Sequence, residues 1–427
     1  MNRRNLLVMA GALGLVPAAA LGQGSDAATL ARDAYLFSLP WIEMATTRAR
    51  VFKRGARPNS IYHRRNLSDH TDRSVTTPNN DTLYSLAWID LTKGPVTLTI
   101  PPSGKRYVSA AILNMFTDND AVLGTRLNGG AGGVFTVVGP GQSAAGDNVV
   151  RVLTPHAWIL IRTLVDGPDD LAAARKVQSG FKVSGPKVER PPAYLERDAE
   201  PEAYFANARA LLAADPPRAE DAAFIQRSAG LLTEGPFDRA AMAAGVAQAR
   251  AIAKLASGRV AFVNGWSYPK PNLGYHGTDY GYRAIVALQG LGALPVAEAM
   301  YMKAAGDNNS GLFNGDGLYR LTLPARLPLD GFWSLSMYEA TPDGQYFFAD
   351  NPIDRYAIGD RTPGLKRNAD GSLDLWISRT DPGGERSANW LPAPKAGPFS
   401  MTLRTYLPRA ELLDGRFRFD PIVQVPA

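Results

Sequence analysis

Apolar residues in this chain come in short runs broken by Gly and Pro near both ends, with a longer helical rhythm between them. That order limits the fold more than any other feature. The early runs are 82–91, 96–100, 106–116, 134–138, 148–153 and 157–165; the late ones are 318–323, 332–339, 373–378, 399–407 and 416–425. Their length and their β-branched and aromatic content predict strands. No helical crossovers separate them, so antiparallel pairing in a sandwich or barrel is expected. Phe399, Met401, Leu403, Thr405 and Leu407 alternate with Ser400, Thr402, Arg404 and Tyr406, which predicts one buried and one polar face. Segments 202–213, 219–232, 239–256 and 279–305 are Ala-rich with helical spacing, and a first helix is expected over 27–52 with a kink at Pro40. The reading is α+β, mainly β with a helical layer. Two antiparallel β-sandwich or jelly-roll-like domains, 27–185 and 311–427, are joined by a helical region over 186–310.

Residues 1–22 read as an export leader. Arg3 and Arg4 precede the apolar run 5–16 and the small-residue stretch from Pro17 to Gly22, the arrangement of a twin-arginine signal cleaved after Gly22. The mature chain is expected in the periplasm or secreted, with no membrane span, because no later run approaches ~18 apolar residues. Cysteine is absent. In an oxidising compartment stability must then come from burial and hydrogen bonding, and thiol nucleophiles and thiolate metal sites are excluded. The net charge of +6 falls to about +4 without the leader, and Lys and Arg are interleaved with acids, which argues against nucleic-acid binding.

The densest polar cluster runs from Thr77 to Ser85. It places Asn80, Asp81 and Tyr84 where a loop feeds a strand, although Asn and Asp beside Pro also make turns by bonding their own backbone. A second cluster, Asn114, Asp118, Asn119 and Asp120, ends the run 106–116. Carboxylates this close need a cation, an Arg or a shared proton, and the spacing matches no complete calcium template. Arg162 shares an apolar strand face with Trp158, Leu160 and Leu164, so it needs a carboxylate partner or a ligand. The histidines are His63, His70, His156 and His276. His63 and His70 lack the spacing of a helical zinc face. His276, in an exposed-looking loop over 274–280, is the best general base by side-chain type. Trp390 offers a stacking face or packs under its loop, and Arg404 and Tyr406 share the polar face of one strand. No Gly-x-Ser-x-Gly elbow, phosphate loop or dinucleotide fingerprint occurs, and the Gly-rich segment 124–133 reads as a flexible hairpin connection.

The blocks Pro78-Asn79-Asn80-Asp81-Thr82-Leu83-Tyr84-Ser85, Trp88-Ile89-Asp90-Leu91 and Gly94-Pro95-Val96 resemble the N-terminal member of a paired bacterial family, domain of unknown function twelve-fifty-four. Gly331 to Tyr338, Asp370 to Leu373, Asn389 to Pro392 and Arg404 to Tyr406 resemble its C-terminal partner, twelve-fourteen. The resemblance covers nearly all of 27–425. It implies two antiparallel β domains of sandwich or jelly-roll style, similar in outline to peptide-glycan amidases, and no reaction shared by the whole family. Asn114 stands where the resemblance implies an Asp, which weakens a mechanism needing that acid.

These residues lead to an expected function. It is an exported hydrolase or lyase acting on a carbohydrate or similar polar substrate in a cleft between the β domains. Asp81 is its principal carboxylate, Asp118 or Asp120 the partner, and His276 a further acid/base candidate. Asn80, Tyr84, Arg162, Trp390, Arg404 and Tyr406 are the expected substrate contacts. No cofactor is implied, and a homo-oligomer is left open. The rivals are a non-catalytic periplasmic ligand-binding or assembly protein, and a metal-dependent enzyme using His63, His70 or His276.

Overall fold

The computed structural model describes residues 26–73, 76–256, 261–314, 316–342 and 344–426, so the leader reading on 1–22 lies outside the described residues. Strand Thr82–Asp90 pairs with His156–Leu164 along its whole length, and Val108–Asn114 flanks the latter in a five-stranded sheet. Ala87, Ile89, Ala110, Ile112, Ile159 and Ile161 point to one side, onto a four-stranded sheet built on Val96–Ile100 and Gly133–Val138. Leu86, Trp88, Leu113, Trp158 and Leu160 point to the other, under helices. Both faces are covered, which is why these strands read as almost continuous apolar runs.

Helix Asp26–Lys53 is the centre of the helical layer. It continues through Pro40 and buries Phe37, Trp41, Ile42 and Met44. Helices Pro201–Ala214, Arg239–Ala256 and Tyr280–Gln289 pack around it. Gly245 allows one close crossing: a Cβ there would stand 2.4 Å from the Ala28 carbonyl oxygen.

In the C-terminal sandwich, Ala299–Ala304, Phe399–Tyr406 and Trp333–Ala340 form a sheet in that order. It packs on a second sheet containing Leu318–Leu323 and Leu373–Ser378, through Met302, Leu321, Leu335, Met337, Leu375 and Leu403. Among the described residues the ladders are antiparallel except for two short parallel pairings, Val149–Arg151 with Gly133–Val138 and Trp390–Pro392 with Leu373–Ser378.

The structure departs from the sequence reading in four places, the first being that the strand expected over 416–425 is confined to Val423–Val425. The helix expected over 279–305 stops at Gln289, and Ala299–Ala304 is a strand paired with Phe399–Tyr406. Gly290, Gly292 and Pro295 end the helix, and the strand partner then overrides an Ala/Met/Lys composition that favours helix. The C-terminal sandwich therefore draws strands from within 186–310. The segment 219–232 is likewise not one helix but three short pieces, Ala219–Asp221, Ala222–Arg227 and Ala229–Leu232. Finally, 124–133 is no hairpin; through one turn, Thr125–Asn128, it carries the chain from the first sheet to the second.

Candidate functional site

On the polar face of strand Phe399–Tyr406, Ser400, Arg404 and Tyr406 are buried and Thr402 is half-buried. This face continues across the sheet through Ser334, Ser336 and Tyr338 on one side and Tyr301 on the other, and it meets the loop preceding Asp81. Arg404 donates to Ser336 Oγ at 2.7 Å and to the Thr77 carbonyl at 3.1 Å. The Tyr338 hydroxyl donates to the Pro78 carbonyl at 2.7 Å. Asn79 donates through Nδ2 to the Tyr406 hydroxyl at 2.8 Å and accepts the Asp81 amide at 2.6 Å. Asp81 itself crosses between the domains, accepting from Ser334 Oγ at 2.5 Å and from Arg361 at 2.8 Å. The loop is thus both a turn and a contact. Asn79 makes it; Asn80 stands outside this network.

Arg361 binds two acids. One terminal nitrogen lies 2.8 Å from Asp81 Oδ1 and the other 2.8 Å from Asp360 Oδ1, with the guanidinium 4.2 Å over the Phe332 ring. Asp360 also borders a cavity of about 190 Å³, lined with it by Trp333, Arg367, Leu323, Leu329 and Leu373. The Asp360 side chain keeps 31% of its surface open at the cavity mouth, and partial desolvation by the protein around it pushes its carboxyl up to about 6 against the pull of Arg361. That volume is below the ~300–1,000 Å³ of sites for drug-sized ligands, so it suits a small molecule or one end of a longer one.

Tyr84 stands opposite Arg162 in the strand register, and the Arg162 guanidinium lies 5.5 Å from its ring centre. One Arg162 nitrogen donates to the Gly292 carbonyl at 2.8 Å. Tyr107, Phe332 and Tyr406 form an aromatic block beside them, Phe332 and Tyr406 stacking at 4.0 Å. Glu298 is buried here, accepting from the Tyr107 hydroxyl at 2.8 Å and from Arg126 at 2.6 Å. Burial raises its pKa against both donors. Asp81, Tyr84, Arg162, Arg404 and Tyr406, singled out in the sequence, therefore meet at one domain interface. Asp360, Arg361, Glu298, Tyr301, Ser334 and Tyr338 were not singled out. Glu298 had a signal, as the lone carboxylate in the apolar stretch 293–302. Ser334 and Tyr338 had one in their alternation with Trp333, Leu335 and Met337.

Asp118, Asp120 and His276 lie elsewhere. Asp81 precedes the end of strand Thr82–Asp90 that pairs with Leu164, whereas Asp118 follows the strand end at Asn114 that pairs with Ala157. At ~3.3 Å per residue the two ends are about 25 Å apart. The expected pairing of Asp81 with Asp118 or Asp120 is corrected on that ground. Asp118 instead accepts the His276 amide at 2.8 Å and faces its Nδ1 at 2.9 Å, with Arg218 at 3.7 Å and Arg283 at 3.9 Å. His276 itself is 2% exposed, whereas its neighbour Tyr275 is 50% exposed, so the loop reaches the surface but its imidazole does not. Asp120 is held by Asn114 at 2.7 Å and the Leu153 amide at 2.8 Å, and burial pushes it up to about 7. Asn114 thus serves as a donor to the acid beside it.

The other expected residues are apart as well. Trp390 is 3% exposed and its indole N–H donates to the Ser378 carbonyl at 3.0 Å, so it packs within the C-terminal sandwich. His63 Nδ1 lies 2.8 Å from Ser85 Oγ, and burial lowers its pKa to about 4. His70 Nδ1 lies 2.7 Å from the Tyr356 hydroxyl. His63, His70 and His276 occupy three separate networks, and no cluster of three or more His, Asp or Glu side chains suited to a metal occurs among the described residues. No described helix is long and apolar enough to cross a membrane.

Residues 58–185 match the family described as protein of unknown function DUF1254, and residues 298–410 the family described as protein of unknown function DUF1214. No curated protein matches the chain. Among solved structures it is similar to the VPA0106 protein from Vibrio parahaemolyticus, with TM-score 0.69 and 20% identity over 93% of this chain and 100% of that one. This likeness shows a shared fold. An uncharacterised protein from Burkholderia cenocepacia is also similar, with TM-score 0.47 and 15% identity over 92% of this chain and 87% of the other.

Proposed function

The chain belongs to the family that joins a DUF1254 to a DUF1214 domain, and on that footing we propose that it is an exported hydrolase or lyase acting on a small polar substrate, such as a carbohydrate unit, by carboxylate acid/base chemistry. One observation carries the reading. Asp360 borders the cavity and is tied through Arg361 to Asp81 of the other domain. A carboxyl raised to about 6 keeps a proton for transfer near neutral pH, which is what a general acid needs. Asp81 anchors Arg361, and Arg361 positions Asp360. Trp333 supplies an apolar wall for a sugar ring and Arg367 a charge at the rim. The expected carboxylate pair is thereby kept in kind and changed in membership: Asp81 with Asp360.

The test is a pH–rate profile on any substrate found by screening glycosides and uronates. Turnover by the unaltered protein is expected to fall as pH rises through about 6, where Asp360 loses its proton. Asp360→Asn should lose about 10²–10⁴-fold in rate while folding normally. A variant as active as the parent sinks the proposal. One observation favours a non-catalytic reading: both Asp81 oxygens already hold donors. A ligand that stabilises the protein and is never converted would establish that reading instead.

A further inference from the structure

We propose that Arg162 and Tyr301 form a binding site for the oxyanion group of a small ligand, a carboxylate or a phosphate, buried at the junction of the two β domains. The site does not depend on the chemistry proposed for Asp360.

Arg162 is 6% exposed. Among the described residues it has no ion pair, and its hydrogen bond is the one from a terminal nitrogen to the Gly292 carbonyl at 2.8 Å. The other terminal nitrogen, Nη1, is sealed from water with no acceptor. Burying a guanidinium without a counter-charge is strongly unfavourable, so natural proteins pair such groups or bring them a ligand. The surroundings of Arg162 supply no free negative charge. The groups in electrostatic range are the phenols of Tyr84, Tyr301, Tyr406 and Tyr107, all neutral near pH 7. Glu298 is also in range, but its charge is already paired with Arg126 at 2.6 Å, and Tyr107 holds its other oxygen.

Tyr301 carries the second unmet donor. Its hydroxyl is buried, with a loose approach from the Leu294 amide and no acceptor for its own hydrogen. A guanidinium N–H and a phenol O–H that both lack acceptors at one junction are the two donors that an anionic oxygen pair satisfies. A buried water would answer the hydrogen bonds and leave the charge uncompensated. The Gly292 carbonyl keeps the other half of the guanidinium fixed. A Cβ at Gly292 would stand 2.8 Å from Leu160 Cδ2 and 3.1 Å from Trp158, so a larger residue could not hold the carbonyl there.

The experiment is thermal unfolding of the whole chain in inorganic phosphate, sulfate, acetate or glucuronate, at constant ionic strength made up with chloride. The unfolding midpoint should climb with the logarithm of phosphate or carboxylate concentration, by several degrees at about a hundredfold excess over Kd. Arg162→Met should abolish the shift and Tyr301→Phe should weaken the apparent affinity about tenfold, while Asp360→Asn keeps it. Which anion acts distinguishes a phosphate-bearing from a carboxylate-bearing ligand. No shift with any oxyanion in the unaltered protein, or an undiminished shift in Arg162→Met, overturns the proposal. Should Arg162→Met fail to fold, an anion response in Tyr301→Phe equal to that of the parent overturns it as well.

Discussion

The two ends of the five-stranded sheet each hold a buried acid among arginines, and they differ in what lies beyond. At the Asp81 end the network draws on both β domains and runs through Arg361 to a cavity. At the Asp118 end it draws on the helical region, through Arg218, His276 and Arg283, and closes on itself. His276 Nε2, Arg283 Nε and Nη1, and Arg218 Nε there are buried without partners. Burial of charge is common to both ends; what separates them is that the Asp81 end brings two β domains together and adjoins a cavity.

Three measurements break or sharpen that contrast. The largest effect is expected for Asp118→Ala, which leaves two guanidinium groups and an imidazole around a missing acceptor. It should cost about 3–5 kcal/mol in urea unfolding. A loss below ~1 kcal/mol would mean that the closed end is not held by its acid.

The second concerns His156, also at the closed end. Its Nδ1 lies 3.0 Å from Asp215 and its Nε2 3.5 Å from Asp90. Burial opposes the charged imidazole, but hydrogen bonds to Asp215 and Asp90 outweigh it and push the pKa up to about 9. A raised pKa means stability that is full below the unfolded value of ~6.5 and lost as pH rises through about 9. The contribution is on the order of 3 kcal/mol. Burial opposes the Asp90 charge, but His156 and two hydrogen bonds from Thr92 lower its pKa, so that shift is only in part the same contact. His156→Gln should flatten the fall of stability between those pH values; an unchanged slope would assign the fall to other groups.

The smallest effect is expected for Trp390→Phe. It removes the hydrogen bond to Ser378, worth about 1 kcal/mol, and should leave any ligand response at the Asp81 end untouched. A changed ligand response would return Trp390 to the site.

Much of the strand framework was legible because its physics is local. The reading 96–100 matches the observed Val96–Ile100, and 318–323 matches Leu318–Leu323, since period-two burial and bounding Gly and Pro mark both. Arg162 was legible as a charge on an apolar face, which has a cost wherever the chain goes. Ala299–Ala304 was not, because its composition suits a helix and its partner strand lies about a hundred residues away. Asp360 and Arg361 were not either. They follow a three-residue strand, Ala357–Gly359, and carry no periodic signal.

The sequence alone determined the order of β, helical and β stretches, the reliance on a core without disulfides, and the charged or polar residues whose burial would need an explanation. Burial patterns repeat over a few residues, so they survive in the sequence. The tertiary structure alone decided which of those residues meet. It joined Asp81 to Arg361 and Asp360, set Arg162 against Tyr84 and the Gly292 carbonyl, and carried Asp118 to the far end of the sheet. Such encounters depend on how two domains and a helical layer close over one another, and that closure is fixed by packing across the whole chain.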